Sequence, residues 1–285
     1  MGGGALMTPA LVFLGIPPLT AVSSDLVSSA VTKAIGAVEH WRQGSPNLRL
    51  AKWLVMGSVP TAFAGAFIIR AVGGEGDAVQ TFVRTALGAT LLLTAVTYTL
   101  RLAIQLRETV RANGKERDPN PPVRPLPTLL VGMIGGLLVG LTSVGSGSLM
   151  MVSLLLLYPG MLAARMVGTD LVQSIPLMVA ASASHLLVGE VDWGVVIPLI
   201  VGGIPGTYVG ARIAVRVSEG IVRRGIVIVL SLTALKLLDV PDLVTIAAGV
   251  LLVTVGPLVW GLVRRAHGLP MFAGRDGAGL SSRNL

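Results

Sequence analysis

The chain has 285 residues, of which 53% are apolar and 13% are charged, and its net charge is +8. Soluble domains hold about a quarter charged residues, so this composition excludes a soluble domain and predicts an all-α polytopic membrane protein. The basic excess suits cytoplasmic loops, and we expect no nucleic-acid partner. There is no cysteine, and the three histidines are widely spaced. We therefore expect no metal site, no cofactor and no enzymatic activity, since nucleophile and zinc motifs are also missing.

Seven apolar stretches are long enough to cross a bilayer, which takes about 20 residues. They are 20–40, 50–70, 82–101, 166–188, 194–213, 221–238 and 243–263. Two further apolar stretches do not fit a single crossing. Residues 1–17 are short and begin at glycines, and residues 128–158 are interrupted by small and polar residues from Thr142 to Ser148. We predict that each is a re-entrant helical hairpin, which enters and leaves the membrane on one side.

The two halves of the chain repeat each other. Residues 25–68 align with 170–213 without a gap, and 12 of the 44 positions are identical. A later segment around Val83-Arg84 also matches Val222-Arg223. Several identical pairs are of residue types that a shared apolar composition does not explain: Asp25/Asp170, His40/His185, Gly57/Gly202, Pro60/Pro205 and Gly65/Gly210. We expect the matched glycines and prolines, together with Gly206, to serve close helix packing around the hairpins.

Loop charge predicts how the chain is threaded through the membrane. If the two glycine-containing stretches are hairpins, all basic loops fall on one side, and these are 41–52, 101–127, 212–224 and the tail after 264. The positive-inside rule then places linker 101–127 and the C-terminus in the cytoplasm of a cell inner (plasma) membrane. Each repeat becomes a hairpin plus three transmembrane helices. Because three crossings is an odd number, the second repeat is predicted to be inverted relative to the first.

This topology divides the chain into five parts. In order, they are a first transmembrane repeat, a basic and proline-rich cytoplasmic linker, a second and inverted repeat, a final transmembrane helix and a cytoplasmic tail. Their predicted bounds are 1–100, 101–127, 128–240, 241–263 and 264–285. The first hairpin lacks the arm that precedes the tip of the second, which predicts that the natural chain begins upstream of Met1.

The glycine-rich tips predict a binding site for a small anion. Glycines bring backbone N–H groups close to a ligand, a helix N-terminus adds partial positive charge, and hydroxyl groups add donors. We expect substrate contacts from both tips: Gly2, Gly3, Gly4, Ala5, Thr142, Ser143, Gly145, Ser146, Gly147 and Ser148. The alternative is that these small residues serve close helix packing only.

Charged residues inside the apolar spans are costly unless they are paired or functional. Asp25 and Asp170 are expected to coordinate a coupling cation or to carry a proton, with a role as helix N-caps as the alternative. Lys33 has no charged counterpart in the second repeat, and it is expected either to pair with an aspartate or to face the substrate anion. His40 and His185 end their spans, and we expect them at the membrane interface.

The motifs of the two halves, taken together, also carry a family resemblance. They are Gly2-Gly3-Gly4-Ala5-Leu6-Met7-Thr8-Pro9, the stretch from Gly140 to Ser148, Gly168-Thr169-Asp170-Leu171 and the stretch from Gly202 to Gly210. In combination they resemble the sulfite exporter TauE/SafE family of membrane transporters. The resemblance implies a secondary transporter that exports small sulfur-containing anions such as sulfite or organosulfonates. Ser146 and Ser148 stand where the family usually has glycines, which leaves a different substrate open.

Two other functions stay open at this point. One is a cation- or proton-coupled transporter of a different small solute, and the other is a membrane scaffold that uses linker 101–127 to hold partners or anionic lipid. The expected partners are a small anionic substrate and the lipid bilayer. A homo-oligomer is compatible with the sequence.

Overall fold

The computed structural model describes residues 4–41, 46–73, 76–111, 121–145, 147, 149–161, 163–188, 191–214 and 219–266. Within these residues the chain forms helices and no strands. The helices are α1 (Gly4–Phe13), α2 (Pro18–Trp41), α3 (Leu48–Gly73), α4 (Asp77–Arg111), α5 (Pro125–Thr142), α6 (Leu149–Leu157), α7 (Ala163–Val188), α8 (Trp193–Ala214), α9 (Glu219–Leu237) and α10 (Asp242–Ala266). The all-α prediction is confirmed.

Each of the seven predicted crossings coincides with one helix. Four helical segments are long and apolar enough to span a membrane: Leu48–Val72, Asp77–Arg101, Pro125–Thr142 and Arg165–Val188. Shorter apolar segments lie in α8, α9 and α10. One of the four, α5, was predicted as a hairpin arm, and at 18 residues it reaches the length of a full crossing. The re-entrant path of this segment therefore stays a prediction.

The interruption between Thr142 and Ser148 is confirmed as a break between two helices. Helix α5 ends at Thr142, where Ser143 adopts a left-handed conformation with φ 60° and donates its N–H to the Val139 carbonyl at 2.7 Å. Gly145 follows with φ 111°, which only glycine adopts readily. Helix α6 begins at Leu149. The apolar run is thus divided into two helices where its side chains are smallest.

Helix α4 is longer than predicted, because it continues through the start of the predicted linker to Arg111. The residues from Arg101 to Arg111 are mostly leucine, alanine, glutamine, glutamate and arginine, which are strong helix formers. Their charge marks a departure from the bilayer but does not end the helix. Of the remaining linker residues, 112–120 lie outside the described residues, and α5 begins at Pro125, so the predicted linker is helical at both ends.

Helices α3 and α5 touch along their backbones. A Cβ atom added at Gly132 would lie 2.5 Å from the Leu54 carbonyl oxygen, and one added at Gly136 would lie 2.3 Å from the Ser58 carbonyl oxygen. On the other helix, a Cβ at Gly57 would lie 2.3 Å from the Leu129 carbonyl oxygen. These distances leave no room for a side chain. The prediction that Gly57 and Gly65 serve packing is confirmed, since Gly65 meets Gly140 in the same way.

The matching glycines of the second repeat behave differently. A Cβ added at Gly202, Gly206 or Gly210 on α8 would meet no atom within 4 Å in the described part of the chain. The expectation that this face packs against a hairpin is therefore wrong for the described residues. On α3, glycines at this spacing pack against a neighbouring helix. On α8, glycines at the same spacing meet no atom of the described residues, so the spacing alone does not produce a contact.

The helices of the two repeats also pack against each other in matched pairs. Helix α2 contacts its counterpart α7, and α4 contacts its counterpart α9. Helix α3 contacts α7 while α8 contacts α2, which are the same contact with the two repeats exchanged. This exchange agrees with the sequence repeat. The opposite orientation of the two repeats in the membrane stays a prediction from loop charge.

The α3–α5 contact predicts a large effect of one methyl group. We expect Gly136→Ala to destabilise the protein by about 1–3 kcal/mol, because the added carbon forces two backbones apart. Gly202→Ala is the matched control, and we expect it to be neutral or to stabilise by up to about 1 kcal/mol, as alanine favours helix over glycine. Unfolding of the purified protein in detergent would measure both. Equal effects of the two substitutions would contradict the close packing at Gly136.

Candidate functional site

The carboxylate of Asp25 lies where α1, α2 and the end of α5 meet. Its side chain is 1% exposed. Atom Oδ2 accepts hydrogen bonds from the hydroxyl of Thr8 at 2.7 Å and from the hydroxyl of Ser143 at 2.7 Å. The hydroxyl of Ser29, one turn along α2, lies 3.4 Å from Oδ1. Thr8 belongs to α1 and Ser143 to the break after α5, so one buried carboxylate joins α1, α2 and the end of α5.

Apolar contacts close the same junction. Val144, next to Ser143, is fully buried in a cluster formed by α4 and α9. Ala5 and Val12 of α1 pack against this cluster. Ala5, a predicted site residue, and Val144, the neighbour of the predicted Ser143, therefore belong to one apolar assembly.

Two of the four predicted tip hydroxyls, those of Thr142 and Ser143, already have internal partners. Ser143 donates to Asp25, and Thr142 donates to the Leu138 carbonyl oxygen at 2.6 Å. The Thr142 oxygen also accepts the N–H of Val144 at 3.3 Å. An anion that used either hydroxyl would have to replace one of these bonds. Their role as substrate ligands stays a prediction.

The other predicted tip residues are described only in part. Gly4 begins α1, and Gly145 and Gly147 lie in the break before α6. A Cβ at Gly145 would meet only the Leu149 side chain at 3.5 Å, so its positive φ, and not close packing, is what requires glycine there. Four predicted ligands lie outside the described residues: Gly2, Gly3, Ser146 and Ser148.

Asp170 lies in a second polar cluster, between α7 and α3. Its Oδ1 atom accepts a hydrogen bond from Gln173 Nε2 at 3.0 Å, and the Ser58 hydroxyl lies 3.4 Å from Gln173 Oε1. Lys33 interacts electrostatically with both Asp170 and Asp25. Pairing of Lys33 with one of these aspartates stays a prediction.

The N-cap alternative for the two aspartates is wrong. Asp25 lies inside α2, which begins at Pro18, and Asp170 lies inside α7, which begins at Ala163. The cap of a helix occupies its first position, and neither residue does. Asp25 and Asp170 therefore lie in the interior of their helices, where surrounding residues bury both carboxylates, and neither side chain caps a helix N-terminus.

The prediction that the two histidines lie at the membrane interface is wrong for His185. Its ring is fully buried, with Nδ1 2.7 Å from the Ser23 hydroxyl and Nε2 2.8 Å from the Gly140 carbonyl oxygen. The end of α7 is covered by α2 and α5, which the length of the apolar run does not reveal. The His40 side chain lies outside the described residues.

Three of the residues that build this region were not predicted: Thr8, Gln173 and Ser58. Thr8 is the only polar side chain in the ten residues of α1, and an isolated hydroxyl in an apolar helix is a usable signal for a buried polar contact. Gln173 lies three residues after Asp170, a spacing at which helical side chains meet. Nothing in the sequence around Ser58 indicates its partner.

The junction predicts a specific cost for losing a hydroxyl. We expect Thr8→Val to destabilise the protein by about 1.5–3 kcal/mol, the usual loss for a hydrogen bond to a charged group. Thr90→Val is the matched control, because Thr90 is also buried but bonds only within its own helix, to the Ala86 carbonyl. Thermal unfolding in detergent would measure both. In an Asp25→Asn background the cost of Thr8→Val should shrink, and an unchanged cost would contradict the contact.

The chain is similar to a known protein family and to named bacterial proteins. Residues 1–237 match the family described as "Sulfite exporter TauE/SafE". The chain is 37% identical over 218 residues to the Bacillus subtilis (strain 168) protein named "Probable membrane transporter protein YjnA", a match that covers 76% of this chain and 84% of that protein. It is 25% identical over 242 residues to "Probable membrane transporter protein YdhB" of the same organism, over 83% of this chain and 91% of that one. No solved structure matches the chain. The chain is a member of the sulfite exporter TauE/SafE family of membrane transporters.

Proposed function

We propose that this protein is a secondary transporter that exports small sulfur-containing anions, such as sulfite or organosulfonates, from the cytoplasm. The observation that carries the proposal is the junction of Asp25 with Thr8 and Ser143, where hydroxyl donors from both hairpins converge on one oxyanion. Family membership supports the transport of such anions. The substrate site lies between the two tips.

The donors at the junction suit an oxyanion. Thr8 and Ser143 hold one carboxylate oxygen at 2.7 Å each, a distance typical of a strong hydrogen bond to a charged acceptor. A sulfite or sulfonate oxygen is likewise a negatively charged hydrogen-bond acceptor. The substrate would therefore compete with Asp25 for these hydroxyls. Lys33, which interacts with Asp25 and Asp170, would offset part of the charge that the anion brings in.

Transport then follows from rearrangement at the junction. While Asp25 holds both hydroxyls, α1, α2 and the end of α5 are joined. An anion or a coupling ion that releases Asp25 from Ser143 would free the two repeats to move relative to each other, which is alternating access around a central site. Asp25, Lys33 and Asp170 are the proposed coupling groups.

The proposed setting is the cell inner membrane, with linker 101–127 and the C-terminus in the cytoplasm. The basic residues of the linker and of the loop 212–224 support this orientation. The repeats are proposed to be inverted, with the helix break at Ser143 in the second hairpin and the start of α1 in the first. The proposed partners are the anion and the surrounding lipid, and a homo-oligomer remains an option for this architecture.

The proposed function predicts that the protein transports sulfite across a membrane. Proteoliposomes that contain the purified protein should transport sulfite in a saturable manner, and sulfate, thiosulfate, taurine and sulfoacetate form the comparison panel. Liposomes without protein are the control for passive leak. No response to any of these five solutes would contradict the proposed substrate class and favour a transporter of a different solute. A protein lacking residues 108–122 should keep its flux, whereas a scaffold that depends on the linker would lose its binding partners.

The proposed function also predicts that ion coupling and substrate binding can be lost separately. Asp170→Asn should abolish uptake driven by an ion gradient and leave sulfite binding measurable, because the charge needed for coupling is lost while the tips are intact. Asp25→Asn should also lower transport, since the junction loses its charge. Thermal-shift measurements with sulfite would report binding, and proteoliposome flux would report coupling. Normal gradient-driven flux by Asp170→Asn would exclude this residue from coupling.

A further inference from the structure

The imidazole of His185 joins three helices beside the proposed site. His185 belongs to α7, and it is completely enclosed. Its Nδ1 atom lies 2.7 Å from the hydroxyl of Ser23 on α2, and its Nε2 atom lies 2.8 Å from the carbonyl oxygen of Gly140 on α5. None of the roles assigned above to the hairpins or to the aspartates uses this side chain.

The contact with Gly140 compensates for the helix break. In an uninterrupted helix the Gly140 carbonyl would accept the N–H of Val144. Here Val144 donates to Thr142 Oγ1 instead, because the backbone turns away at Ser143. A buried carbonyl without a partner is costly, particularly in a membrane protein. The Nε2–H of His185 donates to this oxygen, and since a carbonyl only accepts, the hydrogen must be on the imidazole.

The second ring nitrogen of His185 bonds to a residue of α2. With Nε2 carrying the hydrogen of the neutral ring, Nδ1 is an acceptor 2.7 Å from the Ser23 hydroxyl, whose single hydrogen is shared between Nδ1 and the Leu19 carbonyl. That hydroxyl also lies 2.9 Å from the Leu19 carbonyl of its own helix. Ser23 precedes Asp25 by two residues, and Gly140 precedes Ser143 by three. The imidazole therefore bridges the two chain segments whose side chains form the Asp25–Ser143 bond.

We propose that His185 is a positioning residue for the transport site. By capping the Gly140 carbonyl and bonding Ser23, it holds the broken end of α5 against α2, and so keeps the Ser143 hydroxyl and the tip backbone where the anion binds. The part of this proposal that concerns the substrate rests on the proposed function. The holding of the tip does not, and it can be measured without substrate.

The test compares two side chains of similar length that differ in their donor. His185→Gln keeps an N–H near the position of Nε2, and His185→Met removes it. Ser184→Ala is the matched control, since the Ser184 hydroxyl is equally buried but bonds only within α7, to the Ala181 carbonyl at 2.8 Å. The first readout is amide hydrogen exchange over residues 139–145 in detergent without substrate. The second is the KM and maximal rate of sulfite transport in proteoliposomes.

We expect His185→Met to speed amide exchange at the tip by about tenfold, which corresponds to losing the cap of one buried carbonyl. The KM for sulfite should rise by a similar factor with a nearly unchanged maximal rate, because the donors that bind the anion are no longer held in place. His185→Gln and Ser184→Ala should resemble the wild type in both readouts.

Several outcomes would overturn the proposal. Wild-type exchange at the tip in a folded His185→Met protein would show that the cap is not needed, and equal damage by Gln and Met would assign the effect to ring shape instead of the donor. If His185→Met does not fold, Ser23→Ala replaces it, with an expected increase in exchange of about threefold; unchanged exchange then contradicts the attachment to α2. If the wild type transports no sulfite, the proposed function fails, and the exchange data alone decide the role of His185.

Discussion

The buried carboxylate of Asp25 is the constraint on which the arrangement of the two halves depends. A carboxyl group buried inside an apolar helical protein needs hydrogen-bond partners around it. Asp25 obtains them from Thr8 and Ser143, which lie 17 and 118 residues away along the chain. Because these donors are on different helical segments, satisfying one side chain fixes how α1, α2 and the end of α5 meet. A change in the charge or in the hydrogen-bond partners of Asp25 would therefore affect the packing of α1, α2 and the end of α5.

The position of Ser143 depends in turn on how α5 is held. Glycines at 132 and 136 let α5 lie directly on the backbone of α3, and this contact has no slack because carbonyl oxygens occupy the space of the missing side chains. At its far end, α5 breaks at Ser143, and the freed carbonyl of Gly140 is bound by His185. Close packing along α5 and the bond at its end together determine where the tip lies relative to Asp25.

Much of the fold was predictable because it follows from local properties. Apolar length places the helices, and a run of glycine and serine inside an apolar stretch marks the break after Thr142. The end of α4 was not predicted. The charged residues from Arg101 onward predicted that the helix would stop, but the high helix propensity of this stretch continues it to Arg111. The open face of α8 was not predicted either. Its glycines have the same spacing as those of α3, and only the neighbouring helix differs.

The candidate site was predictable in its location and less so in its chemistry. The repeat singled out the two tips and Asp25, and the structure places the Ser143 hydroxyl on the Asp25 carboxylate. Thr8 was missed because one threonine forms no pattern. His185 was assigned to the interface because it ends an apolar run, yet helices distant in sequence cover it. Its partners, Ser23 and Gly140, lie 162 and 45 residues away.

The sequence by itself determined that the chain is a helical membrane protein with two related halves, a small-residue break and a few charged groups in apolar surroundings. These properties depend on composition, on the length of apolar runs and on repetition, all of which can be read along the chain. Only the tertiary structure decided which donors reach Asp25, that Gln173 bonds Asp170, and that His185 completes the broken end of α5. Such bonds require atoms to approach within about 3 Å, and the packing of whole helices sets those distances.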